Sequence, residues 1–129
     1  MPFMRMEHPT DPKKAIWDDL GNIDDVELFN NQVLIAVYIR PNKTKSGIML
    51  SDNTREEDKW QGKVGLVVKA GPSAFQPNDE WFQGTQIDVG DWVVCRPGDG
   101  WNVIVHGVMC RIVADYDLRG RVQAPDSVW

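Results

Sequence analysis

The sequence is short of the groups that catalysis, secretion and membrane insertion require. Of its 129 residues only two are cysteine, Cys95 and Cys110, and only two are histidine, His8 and His106. Two cysteines do not make a disulfide framework. Both lie in apolar stretches, where a free thiol behaves as a small buried hydrophobe. The longest unbroken apolar run is the seven residues 33–39, whereas a membrane span needs about 20. The opening residues MPFMRMEHPT show no apolar core and no small-residue cleavage site, so no secretory signal is read and the expected location is the cytoplasm. Asn42-Lys43-Thr44 then matches the glycosylation pattern by chance. Basic residues are in deficit, 14 Lys and Arg against 19 Asp and Glu for a net charge of -5, which argues against a general nucleic-acid binder. No glycine-rich phosphate loop, metalloprotease helix motif or nucleophile elbow is present. Cys95, His106 and Cys110 match no familiar zinc spacing and lack a fourth ligand, so no metal is expected. The acidic pairs Asp18-Asp19, Asp24-Asp25 and Glu56-Glu57 read as solvated surface, because neighbouring side chains on a strand point apart.

What is present suits one globular domain: 42% hydrophobic and 26% charged residues in a chain too short for two full domains. Residues 1–25 form an arm with one short helix. Asp11 caps it, Pro12 takes the first helical position and Gly21 ends it. Ile16 and Leu20 share a face, so the helix docks either on its own barrel or on a neighbouring subunit. From residue 26 the pattern turns to short strands. Val33, Ile35, Val37 and Ile39 line one face of the first, and Leu34, Ala36 and Tyr38 the other, so both faces are at least partly covered. Further strands are read at 64–68, 92–95, 101–105 and 108–113, the last two joined by a tight turn at His106-Gly107. A helical turn at 115–118 and a short strand at 120–122 follow, then a tail, 123–129. Such a set of short strands separated by Gly, Pro and Asp indicates an all-β fold, a small barrel or sandwich.

Two excursions interrupt the strands. The first, 41–62, is polar, with four acids and four bases, and is read as a loop long enough to be functional or disordered. It contains one apolar island, Ile48-Met49-Leu50, after Ser46-Gly47. The island is either a short core strand or a segment that orders when it enters a partner's apolar groove. The second, 73–86, has a turn signal at Pro77-Asn78-Asp79-Glu80, followed by Trp81 and Phe82.

From Val26 to Val122 these features, taken in order, resemble the GroES-like co-chaperonin family, the chaperonin small subunits. Leu28-Phe-Asn-Asn-Gln-Val-Leu-Ile-Ala-Val37 is similar to the family's first long strand. Thr44-Lys45-Ser46-Gly47-Ile48-Met49-Leu50 resembles its mobile loop with a hydrophobic tripeptide. Gln61-Gly62-Lys63-Val64-Gly-Leu-Val-Val68 and Ala70-Gly71-Pro72 resemble its Gly-Lys-Val strand and the turn after it. Ile87-Asp88-Val89-Gly90-Asp91-Trp-Val-Val94 resembles the step into its next strand, and Asp115-Tyr-Asp-Leu118 with Val122 its closing turn and last strand. There are departures. One glycine, not two, precedes the tripeptide, 1–25 and 123–129 have no counterpart in a minimal member, and the segment matching the roof hairpin, 73–86, is long and aromatic. Six tryptophans are many for this family. Such embellishment looks like a divergent or virus-encoded version.

The resemblance implies a small, partly closed all-β barrel at 26–122, with a mobile loop (41–62), a roof hairpin (73–86), an N-terminal helical arm (1–25) and a C-terminal tail (123–129). It implies a co-chaperonin without enzymatic activity: a homo-oligomeric lid, heptameric in the family, that caps a GroEL-type chaperonin ring and assists ATP-dependent folding. Ile48, Met49 and Leu50, hinged at Gly47, would dock on that ring. Trp81 and Phe82 would form roof or inter-subunit contacts. No cofactor is expected, since ATP would bind the partner ring, and neither nucleic acid nor membrane is expected as a partner. A virus-encoded member would work in the host cytoplasm. The alternative is a virion structural, decoration or adaptor protein that reuses the barrel, its arm, tail and aromatic hairpin serving as assembly contacts.

Overall fold

A strand that is apolar on both faces needs cover on both, and the chain supplies it. The computed structural model describes residues 8, 11–40, 49, 51–75 and 87–127. Among them β1 (Gln32–Val37) lies between β5 (Val108–Ala114) and β2 (Val64–Ala70), antiparallel to each. Its Leu34 and Ala36, with Tyr38 just beyond it, join Leu66, Val68, Trp92 and Cys110 in one cluster. Val33 and Ile35 join Val67, Val93, Cys95 and Val113 in the other. The period-2 alternation read at 33–39 therefore separates two cores, not a core from solvent.

With β3 (Trp92–Cys95), β4 (Trp101–Val105) and β6 (Leu118–Val122) the strands form one antiparallel sheet in the order β4-β5-β1-β2-β3-β6. Among the described residues the outer strands β4 and β6 do not pair with each other, so the sheet curls without closing. The expected small, partly closed all-β barrel is the fold of this chain. Irregular register between Leu34 and Ile35 on β1 and between Val94 and Cys95 on β3 bends the sheet where both cores must be enclosed. β4 and β5 meet through His106 and Gly107, both at positive φ (49° and 82°), as a two-residue turn twisted to match its strands requires.

Helix α1 (Pro12–Leu20) forms as its end signals predict. Asp11 accepts from Lys13 N at 3.4 Å, and Gly21 turns away at a φ of 62° while its N–H bonds Trp17 O. Leu20 is buried, and Ile16 and Trp17 pack on the first cluster. The arm helix thus docks on its own barrel. Beyond β6 the tail makes a 3-10 turn at Pro125–Ser127. His8 stands 3.3 Å from Tyr38 Oη and 3.8 Å from Asp126, so both ends of the chain meet over β1.

The segment 41–62 corrects one expectation. Its second part is no loop but a helix, α2 (Asp52–Gln61). Trp60 is the only apolar residue in DNTREEDKWQ, so no apolar periodicity announces this helix. Buried polar contacts hold it instead.

Candidate functional site

The two long insertions leave the barrel at defined roots, and at each root a buried charged side chain fastens the chain. At the first, β1 runs on to Tyr38, whose N–H bonds Val64 O, and then to Arg40. Asp58, on α2 and buried, accepts from Arg40 N and Arg40 Nε, both at 3.0 Å, through Oδ2, and from Nη2 at 2.9 Å through Oδ1. Arg55, one turn earlier, donates from Nε to Arg40 O at 3.1 Å. Such a bidentate pair is short and directional because both partners are charged and the guanidinium fork matches the carboxylate.

The other end of α2 rests on Arg111. This arginine, 1% exposed, is the one charge in the apolar strand β5. Its Nη1 donates to Gly62 O at 2.6 Å, Nη2 to Trp60 O at 3.1 Å and Nε to Asn102 Oδ1 at 3.2 Å. It therefore satisfies carbonyls at the C-terminus of α2, where the helix dipole favours a cation. Gly62 makes the approach close enough: a Cβ there would lie 2.7 Å from Asp58 O and 3.2 Å from Val37 Cγ1.

The second insertion is fastened by Asp115, buried in the 3-10 turn Asp115–Asp117. Its Oδ1 accepts from Asn31 Nδ2 and its Oδ2 from Phe75 N, each at 3.1 Å. Phe75 adopts a φ of 58° there, a left-handed conformation that the carboxylate helps to hold.

Of the residues that the sequence singled out, Met49 is described; it makes an isolated β-bridge and its side chain is 63% exposed. Gly47, Ile48, Leu50, Trp81 and Phe82 lie outside the described residues. Cys95 and Cys110 are free and buried. Burial raises the Cys110 thiol to about 11, and it raises Cys95 as well, against the opposing pull of Arg111. No cluster of three or more His, Cys, Asp or Glu able to hold a metal occurs among the described residues. His106 is engaged elsewhere. Its Nδ1 lies 2.6 Å from Leu20 O and its Nε2 3.0 Å from Asp25 Oδ2. The hydrogen bond to Leu20 O, then Asp25, raises its pKa, and the His106 hydrogen bond lowers that of Asp25. The acid pairs Asp18-Asp19, Asp24-Asp25 and Glu56-Glu57 are exposed.

Sequence reasoning missed Arg40, Asp58 and Arg111. A signal existed for the last, since a lone arginine within an apolar strand must find partners if the strand is buried. For Asp58 none existed, because its partner stands across an insertion.

Fold and site together define a class: a small antiparallel β-barrel domain with two long insertions in its sequence, each fastened at its described root by a buried charged side chain. The sequence model of the chaperonin 10 kDa subunit matches residues 25–122, about three quarters of the chain, and the protein belongs to that family. Membership implies co-chaperonin function alongside a GroEL-type chaperonin, and assembly into an oligomer. Co-chaperonins of this family are not themselves enzymes.

Proposed function

We propose that this co-chaperonin is a ring-shaped lid, heptameric as in the resemblance, that caps a GroEL-type ring during ATP-dependent folding. Ile48, Met49 and Leu50 dock in apolar grooves of the partner, with Gly47 as the hinge. Trp81 and Phe82 face a neighbouring roof hairpin or the client. The chain needs no cofactor and performs no catalysis; nucleotide is bound and hydrolysed by the partner. It works in the cytoplasm, that of the host if it is virus-encoded.

One observation carries this reading: Met49, a large apolar side chain, stands exposed three residues before the start of α2. Burying one such side chain is worth about 1.5–3 kcal/mol, part of which is offset by ordering the chain around it. One subunit then binds weakly, while a ring of tethered triplets gains about 10²–10⁴-fold through avidity. The test is the double substitution Ile48→Ser and Leu50→Ser. Thermal stability and oligomer assembly should stay unchanged while nucleotide-dependent binding to a GroEL-type ring disappears. A large fall in melting temperature with binding intact would make the triplet a core strand and refute the docking role.

A further inference from the structure

Two elements stand outside the sheet, α1 in the arm and α2 in the first insertion, and both border one cleft. Pairing between β1 and β5 stops at Ala36 and Cys110, although β1 runs on to Val37 and β5 starts at Val108. The cleft opens where the two strands part. Its volume is about 430 Å³, within the range of small-molecule sites, about 300–1,000 Å³. Val37, Ile39, Ile104 and Met109 give it an apolar lining from three strands or their ends, and Ile16 adds to it from α1. These side chains are aliphatic, so they suit an extended aliphatic body more than a stacked ring.

The contribution of α2 is cationic. Arg55 and Lys59, four residues apart on the helix, both line the cleft and both are partly buried. Like charges at this spacing repel one another. Lys59 is compensated by Glu56 at 2.9 Å. Arg55 donates from Nε to Arg40 O, a neutral carbonyl. The nearby carboxylate of Asp58 is occupied on both oxygens by Arg40. Among the described residues Arg55 therefore pairs with no carboxylate. With Nε engaged, its Nη donors remain, and a carboxylate can take such donors in pairs. Of the other polar side chains at the cleft, His8 stands 3.3 Å from Tyr38 Oη and 3.8 Å from Asp126. Asp19, exposed on α1, is the one acid in the lining. It repels a negative head, which is thereby drawn to α2.

We infer that this cleft binds a small aliphatic carboxylate. The apolar body covers Ile39, Ile104 and Met109, and the carboxylate takes Arg55, with Lys59 beside it. The ligand bridges the arm and the first insertion, since α1 and α2 each supply part of the site. None of the docking residues takes part, so the site stands or falls apart from the lid role.

The probe is decanoate, with decanol as its uncharged counterpart, each titrated by calorimetry into the assembled protein. Decanoate should saturate one site per subunit and raise the melting temperature as its concentration rises. Decanol should bind at least about tenfold more weakly, because it offers Arg55 no charge. Arg55→Gln should bring decanoate down to the level of decanol and leave decanol unchanged, a split that general loss of structure would not produce. Ile104→Glu, at an exposed position on β4, should also weaken decanoate, by setting a like charge at the cleft. Hydrogen exchange reports whether α2 stays protected. If Arg55→Gln frees the α2 amides, Lys59→Gln takes its place, with the same direction of change expected. The site is overturned by equal binding of decanoate and decanol, by no saturable binding of decanoate, or by wild-type decanoate affinity in either the cation variant or Ile104→Glu.

Discussion

At the scale of single residues, His106 joins two elements through both ring nitrogens, one to the C-terminal carbonyl of α1 and one to Asp25. Both bonds are best made by the doubly protonated ring, and the pKa is raised from its ordinary 6.5 for that reason. A group with a raised folded pKa adds stability that is fully present below its unfolded pKa and is lost as pH rises through the folded value. For Asp25, lowered from 3.8, the contribution is present above the unfolded value and is lost as pH falls through the folded one. The pair should therefore contribute most between about pH 4 and 6.5. Melting curves of the wild type and of His106→Gln should differ most in that window and converge toward pH 9. A gap that widens with pH would contradict the assignment. The thiols offer a second prediction at this scale. With Cys110 at about 11, roughly one molecule in ten thousand carries its thiolate at pH 7. Labelling of Cys95 and Cys110 should be slow in the native protein and rapid in denaturant; fast native labelling would show that the sheet opens at β3 or β5.

Among the elements, α1 and α2 are seated by opposite means. Helix α1 is amphipathic: Leu20 enters the first cluster, with Ile16 and Trp17 against it. Leu20→Ala should cost about 2–5 kcal/mol, as emptying a core position does, and Asp11→Ala only about 0.5–1, since its cap bond is long. Chemical denaturation of the two variants checks this order. Helix α2 has a polar seat, the Arg40–Asp58 clasp and the Arg111 cap, so its loss should be local. Between β1 and β2 the chain approaches itself too closely for any side chain at Gly65, where a Cβ would lie 2.1 Å from Ile35 Cγ2 and 3.0 Å from Ala36 O. Ile35 is branched and buried and cannot swing aside, so Gly65→Ala should destabilise by about 1–3 kcal/mol through overpacking. An unchanged denaturation midpoint would mean that β1 and β2 can separate without cost.

For the whole molecule, the sheet ends in two edges, β4 and β6, and β4 carries Trp101, 77% exposed, and Ile104. Unpaired edges with large apolar side chains favour association, in keeping with the oligomer that family membership implies. Seven copies of a 14.7 kDa chain weigh about 103 kDa, and light scattering at micromolar concentration should find that mass. A salt-independent monomer would contradict assembly of any size. Because the fastened roots lie within one subunit, assembly should survive Ile48→Ser with Leu50→Ser, which separates ring formation from docking.

Local patterning determined much of this by itself. Strand periodicity, the Asp11, Pro12 and Gly21 signals and the His106-Gly107 turn depend on neighbours a few residues apart, and α1 and the strands β1 to β6 stand where those patterns place them, within a residue or two. The two faces of β1 were legible too, since a strand apolar on both sides must be covered on both. The tertiary structure alone decided which sheet partners those strands take and what holds the insertions. Helix α2 shows why. Its ten residues carry one apolar side chain, and its stability comes from Arg40, before the insertion, and from Arg111, some fifty residues beyond it. No local pattern encodes a charge pair that exists only once β1 and β5 lie side by side and bring Asp58 and the end of α2 against their guanidinium groups.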